Sequence, residues 1–387
     1  MPKVDDLSCC LTVLDQDSTL IAVIEMGLTS WLVGALVPGL DRQPLKKLEP
    51  DAGLLLRLLV RWGEEASRAG RPVSRICVAY EAGRDGFWLA RWLRAQRIEA
   101  HVIHPTSVPV KRDHRRAKTD RLDVGLLMRS FLGWLRGDAG HCSMAAIPTL
   151  AEEDAKRPSR ERETLVGERT RLINRIKSTL IRFGIRHFKP MLRKAAEKLA
   201  GLRTPEDVAL PPNTLQELTH DLERLGLVKA QIKMIETTRL ERIEQGPRDG
   251  AHAAIRLLAQ MTGVGLETAE LLMAEVLSRH LRDRRAVARY AGLTGAPDES
   301  GKRRREKGLA RAGNGRVRRA MIQLAWRWLR FQHASELTHW YRQRTADGRG
   351  ETRKTLIVAL ARKLLIAFWR LVTTGQLPAG VILRPAA

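Results

Sequence analysis

The chain has 387 residues, 44% of them hydrophobic and only 5% aromatic, and its 68 Lys and Arg against 43 Asp and Glu leave a net charge of +25. Such a length predicts two or three domains with cores of Leu, Val, Ile and Ala, and an excess of charge that repels itself calls for a polyanionic partner, nucleic acid first among them. Four cysteines (Cys9, Cys10, Cys77 and Cys142) with no C-x-x-C spacing argue against a disulfide scaffold or zinc ribbon and point to a reducing, cytoplasmic compartment.

The N-terminus, Met1-Pro-Lys-Val-Asp-Asp6, lacks the pattern of a secretory signal. Residues 20–40 carry one charge, Glu25, and approach bilayer length. They are rich in Val, Ile and Thr, broken at Gly27 and closed by Pro38-Gly39, so two buried strands over 20–24 and 31–37 joined by a tight turn fit better than a membrane span. A helix follows over 54–69, a strand over 76–80, a helix over 87–96, a strand over 100–103 and a helix over 120–135. This alternation predicts an α/β domain over 1–145.

Residues 146–250 change character. Leu165, Leu172, Ile176, Leu180 and Phe183 fall at helical spacing, as do Leu215, Leu218, Leu222, Leu225, Ile232 and Ile235. Pro211-Pro212-Asn213 breaks the chain between the two runs, with Asn213 as the expected N-cap. Two long helices result. They suit an antiparallel hairpin or a coiled coil with another subunit, and the pattern does not choose between these. Residues 251–387 read as helical and strongly basic. Met261-Thr-Gly-Val-Gly265 looks like the turn of a helix–hairpin–helix, either a phosphate contact or an ordinary helix–helix turn. The apolar run 355–372 is interrupted by Arg362, Lys363 and Arg370, so no membrane span is expected there. The last dozen residues read as a loose tail.

Metal-dependent phosphoryl transfer gathers carboxylates around two cations about 3.5–4 Å apart, and hard oxygen donors suit magnesium. Glu25 ends the first apolar strand, and Glu81 follows the strand over 76–80. Asp120 and Asp123 lie in Lys118-Thr-Asp-Arg-Leu-Asp123, three apart and so on one helix face. Taken singly, the aspartates also read as a solvated first turn complementing the helix dipole, and Glu81 as a turn residue.

As an ordered set, these positions resemble the DEDD tetrad of the RuvC-like insertion-sequence transposases, the family of bridge-RNA-guided, serine-dependent recombinases. The carrying segments are Tyr80-Glu-Ala-Gly83 and Arg116-Ala-Lys-Thr-Asp-Arg-Leu-Asp123. Downstream, Tyr290-Ala-Gly-Leu-Thr-Gly295, Glu299-Ser-Gly-Lys302 and Gly313-Asn-Gly-Arg-Val-Arg-Arg319 look like the family's C-terminal transposase domain, so the likeness covers nearly the whole chain. The resemblance implies an RNase-H-like first domain holding Mg2+, with Mn2+ as the alternative, on Glu25, Glu81, Asp120 and Asp123. It implies a mainly helical C-terminal domain supplying Ser300 to the same composite site, from this or another subunit. It also implies donor and target DNA, a structured guide RNA from the element itself, and a dimer or tetramer. The family's strand-one residue is Asp, in Gly-Ile-Asp-Val-Ser; here the matching Ala22-Val-Ile-Glu-Met26 holds Glu25. Asp15 or Asp17 remains the alternative ligand, and Glu25 is preferred because it alone ends an apolar strand with a second strand after it.

A serine hydroxyl can hold a DNA end as a phosphoserine, conserving the ester for rejoining, given cations to take up charge on the phosphate. Ser300 is followed by nine Lys or Arg and one acidic residue from Gly301 to Ala320. Lys302, Arg303, Arg304, Arg305, Lys307, Arg316, Arg318 and Arg319 are candidate phosphate contacts, and without the resemblance Ser300 would read as a turn residue in a basic loop. A second cluster, Lys111, Arg112, Arg115, Arg116 and Lys118, precedes the aspartate pair and either grips nucleic acid or balances the carboxylates. Trp326, Trp328, Trp340 and Trp369 read as core or interface rather than stacking platforms. The leading reading is DNA strand cleavage and rejoining. A RuvC-like nuclease using water, and a catalytically silent nucleic-acid-binding remnant, are the alternatives.

Overall fold

The computed structural model describes residues 10, 12–83, 86–108, 120–138, 141–279, 281–300, 303–309, 312–346 and 348–384, with the backbone alone at 106, 120, 296–300, 303–307 and 351. Two compact units divide the chain: Met1–Ala151 with His280–Arg282, and Glu152–Arg279 with Asp283–Ala387.

The first unit is a mixed five-stranded sheet with helices on both faces. Its elements are β1 (Thr19–Met26), β2 (Trp31–Leu36), β3 (Leu45–Leu48), α1 (Ala52–Arg68), β4 (Arg75–Glu81), α2 (Trp88–Ala95), β5 (Glu99–Ile103) and α3 (Asp120–Leu135). The strand order is β3-β2-β1-β4-β5. β1, β4 and β5 run parallel, while β2 and β3 add as an antiparallel edge. A central strand covered on both faces should be apolar throughout, and β1 is. Its Leu20, Ala22 and Ile24 pack with Leu55, Leu59 and Trp62 of α1 and Leu89 and Leu93 of α2. The alternate residues Ile21 and Val23 pack with Val124, Leu127 and Phe131 of α3. Gly27 N–H donates to Ser30 O and closes the turn between β1 and β2. Asp51 caps α1 by accepting from Leu54 N at 2.6 Å, an interaction worth about 1 kcal/mol. β3 has no counterpart in the expected elements. Its Leu-Lys-Lys-Leu is mostly exposed, and an exposed edge carrying lysines has no apolar alternation to reveal it.

The second unit is largely helical: α5 (Arg157–Arg182), α6 (Ala195–Ala200), α7 (Pro212–Gln245), α8 (Gly250–Gln260), α9 (Leu266–Leu272), α10 (Arg284–Tyr290), α11 (Gly315–Phe331), α12 (Glu336–Arg344) and α13 (Gly350–Thr374). The short α4 (Leu150–Asp154) spans the division of the chain. The apolar stripes of α5 and α7 meet each other, Ile176 and Leu180 packing with Leu218, Leu225 and Ile232. Ion pairs Arg175–Asp221 and Arg162–Glu236 fix an antiparallel hairpin within one chain.

Three expectations are corrected in this unit. α7 begins at Pro212 with Pro211 in the cap position, so Asn213 sits inside the first turn; proline suits N1 because its missing N–H would be unpaired there anyway. The basic region is not wholly helical: β6 (Gly295–Ser300) and β7 (Arg303–Leu309) form an antiparallel hairpin. The C-terminal segment is tied down through residue 384. Gln332, fully buried, accepts from Ile382 N and donates to Ile382 O and Thr262 O, while Arg384 N donates to Gln260 O. Among the described residues no helix is long and apolar enough to cross a membrane.

Candidate functional site

Glu25 and Glu81 occupy the C-terminal ends of neighbouring parallel strands. Ile24 and Tyr80 are register partners, and each glutamate is the next residue along. Both lie on the α3 face of the sheet. Glu25 pairs across the ladder with Leu32, and Glu81 with Ile103, and these partners belong to the α3-side core. Neighbouring strands lie about 4.8 Å apart, so carboxylates at matched ends of one face can approach the same ion. Glu81 is exposed and Glu25 half-buried. α3 begins at Asp120 and lays Val124 against that face beside Gly34, where an added Cβ would fall 2.6 Å from Val124 Cγ1. The half-buried Asp123 sits one residue before Val124. Hard carboxylate oxygens from two strand ends suit a divalent cation such as magnesium. Among the described residues, no group of three or more His, Cys, Asp or Glu side chains is gathered to hold a metal, and the Asp120 side chain lies outside them. Asp15, the alternative ligand, instead accepts from Asp17 N and Ser18 Oγ before β1.

Ser300 is the last residue of β6, and its register partner is Arg303, the first of β7. The side chains of Ser300, Arg303, Arg304, Arg305 and Lys307 lie outside the described residues, as do Lys302 and the whole cluster Lys111, Arg112, Arg115, Arg116 and Lys118. Gly292 and Gly313 both have positive φ, and their backbones touch: a Cβ on Gly313 would fall 2.5 Å from Gly292 N, and one on Gly292 2.2 Å from Ala312 O. Asn314 N donates to Tyr290 O at 2.7 Å. The Asn314 side chain caps α11 by accepting from Arg316 N and Val317 N, and it donates to Glu275 Oε2 at 3.0 Å. These contacts bring the segments Tyr290–Gly295 and Gly313–Arg319 together at the foot of the strand pair.

Glu275 is a residue the sequence reading missed. It is 4% exposed, within a single π-helical turn (Met273–Leu277) that continues α9. Arg160 of α5 donates to its Oε1 from Nε and Nη2. Burial, then the nearby Arg279, pushes the Lys156 ammonium down, while Glu275 offsets part of that. Its surrounding Leu-Leu-Met-Ala-Glu-Val-Leu reads as core helix, and a charge buried in such a run was the available signal. Two of the expected phosphate contacts are already engaged: Arg316 donates to Glu163 Oε2 at 2.8 Å, and Arg319 pairs with the same carboxylate. Arg318 donates to Ala312 O at 3.2 Å. Trp328 is fully buried against Phe368, whereas Trp326 is about half exposed. In the 261–265 turn, Gly263 has positive φ and lies against Phe331, and Thr262 N donates to Ile382 O.

The model of the transposase IS116/IS110/IS902 family matches residues 255–342, from α8 through the hairpin to α12. Over 372 residues the chain is 40% identical to y4rJ of Sinorhizobium fredii, a protein carrying the name of a transposase, with 93% of each chain covered. Two further Sinorhizobium fredii proteins bearing that name are similar: y4qE, 26% identical with 80% of each chain covered, and y4pF/y4sB, 29% identical with 77% of this chain and 73% of the relative covered.

Proposed function

This chain belongs to the IS116/IS110/IS902 family of transposases, enzymes that cleave and rejoin DNA, and from that premise we propose how it does so. The first unit acts as an RNase-H-like catalytic domain in which Glu25, Glu81, Asp120 and Asp123 hold divalent metal, magnesium or manganese. The observation that carries this reading is the pair Glu25 and Glu81, set at matched ends of adjacent parallel strands on the face that α3 covers. Bound there, the metal would polarise the scissile phosphate and stabilise the leaving oxygen. The glutamate at position 25 does the work of the aspartate usual in this family.

Ser300 is the nucleophile of this mechanism. Its hydroxyl gives up a proton to a base, Oγ bonds to phosphorus, and the bond to the departing sugar oxygen breaks. The phosphoserine keeps the ester until a hydroxyl of the second DNA end reverses the step. Lys302, Arg303, Arg304, Arg305 and Lys307, which follow Ser300 in the sequence, take up the charge that builds on the phosphate. Arg318, with the cluster from Lys111 to Lys118, grips the DNA backbone, and Arg316 and Arg319 join it where a phosphate displaces the Glu163 carboxylate they share. A structured RNA of the element selects the sites, and a dimer or tetramer brings several strands into one synapse.

The deciding experiment traps the protein–DNA adduct on denaturing gels during recombination of a donor and a target plasmid, with the element's flanking RNA present or absent. Wild type should give an adduct that Ser300→Ala abolishes, with recombination falling roughly a thousandfold or more and DNA binding retained. Cleavage without an adduct would replace the serine by water as nucleophile. Equal product with and without RNA would remove the guide.

A further inference from the structure

Within the second unit α10 packs against α13. Val287 and Ala288 of α10 and Ala361, Leu364 and Leu365 of α13 are buried, which leaves the charged residues of both helices outside. An open cleft of about 460 Å3 runs along them. Arg284, Arg285 and Arg289 of α10 and Arg362 and Lys363 of α13 line it, and Thr294 adds a hydroxyl. All five cations are exposed, and among the described residues no carboxylate stands in the wall. Asp283, the acid next to them in sequence, accepts from Arg285 N and Ala286 N and so caps α10. Lys363 Nζ rests 4.7 Å from the centre of the Trp340 ring, a contact that holds an ammonium without neutralising it.

The other arginines of this unit make the contrast. Arg316 and Arg319 pair with Glu163, and Arg162 with Glu236 and Glu267. Those cations must release a carboxylate before they meet a phosphate, whereas the five of the cleft release none. Like charges gathered so closely repel one another until an anion joins them, and guanidinium forks beside a hydroxyl suit phosphate oxygens. We infer that the cleft between α10 and α13 holds the sugar–phosphate backbone of duplex DNA next to the bond that is cut. Thr294 directly precedes the six residues of β6, which end at Ser300. Six strand residues span about 20 Å and one duplex turn about 34 Å, so phosphates in the cleft lie within one turn of the phosphate that meets Ser300. That placement rests on the Ser300 reading, while the occupant of the cleft follows from its charge.

The test uses the full chain and one duplex that carries the cleavage site, made in DNA and in RNA, with binding read across a salt series. Arg289→Gln combined with Arg362→Gln removes one cation from each helix. The slope of log K against log salt on DNA should fall by about two, close to one for each lost phosphate contact. Lys194→Gln with Lys198→Gln removes the same charge from exposed positions of α6 and should leave the slope unchanged. Ethylation of single phosphates within one turn of the cut should weaken wild-type binding, and that interference should vanish in the cleft variant. Arg285→Gln with Lys363→Gln carries the same reading if circular dichroism shows the first pair unfolded. An unchanged slope in the folded cleft variants, an equal fall in the α6 pair, or a fall confined to RNA overturns the inference. Cleft-dependent interference found only beyond one turn overturns the placement. The adduct assay on Ser300→Ala reports separately: a lowered slope without an adduct removes the serine and keeps the cleft, and an adduct with an unchanged slope does the reverse.

Discussion

Among the described residues, Glu99 carries a clear pH dependence. It sits on β5 at 2.9 Å from His101 Nε2 and accepts from Arg75 Nε and Nη2 at 2.7 and 2.9 Å. The His101 contact and then the Arg75 fork hold its carboxyl well below the usual range, although burial works the other way. A carboxylate with folded pKa below an unfolded value of about 4.3 stabilises the protein above that pH, and the contribution disappears as pH falls through the folded pKa. Glu99→Gln should therefore lower Tm at pH 7 and flatten the fall in Tm below about pH 4; parallel Tm curves for wild type and variant would contradict this. Burial also raises two thiols, Cys142 to about 11 and Cys77 further. Native protein at pH 7 should leave both unmodified by a thiol reagent until it is unfolded, as peptide mapping of the labelled chain would record. Glu99 does not stand out in the sequence, because Arg75, the second group that holds its carboxylate, arrives from the neighbouring strand β4.

At the scale of elements, the backbone junction beneath the β6–β7 hairpin is the feature most open to test. Gly313 adopts φ +86 and lies against Gly292 N and Arg289 O, so Gly313→Ala meets both backbone strain and a wall of main chain that cannot yield. It should cost more than the roughly 1 kcal/mol of a Gly→Ala change that meets backbone strain alone, visible as lower Tm and faster proteolysis within 293–312. Stability equal to wild type would show the two segments free to separate. The glycines were quoted for their likeness to a motif, yet their physical role, close approach of two loops, needs a partner 21 positions away. The strand pair itself was illegible for the same kind of reason. Gly-Ala-Pro-Asp-Glu-Ser and Arg-Arg-Arg-Glu-Lys-Gly-Leu have no apolar alternation, so only pairing defines them.

For the whole molecule, charge sets the behaviour. With a net +25, binding to duplex DNA should weaken steeply with salt, each neutralised phosphate adding about 0.9 to the slope of log K against log salt. A filter-binding or anisotropy series from low to physiological salt reads that slope, and a flat response would sink phosphate-dominated contact. Part of the charge is already spoken for: Arg316 and Arg319 share Glu163, and Arg162 bridges Glu236 and Glu267. The slope thus counts the cations that remain available rather than all 68 Lys and Arg.

Periodicity alone determined the α/β alternation of the first unit and both long helices of the second, and charge set the expectation of a polyanionic partner, because each follows from local spacing or from a sum over the chain. The ordered motifs pointed to the family. Only the tertiary structure decided that α5 and α7 turn toward each other, that Glu25 and Glu81 end side by side on the α3 face, and that Glu275 is buried beneath the cap of α11. Each of these depends on which distant segments meet, and a one-dimensional pattern of hydrophobic and charged residues specifies the faces of an element without naming what covers them.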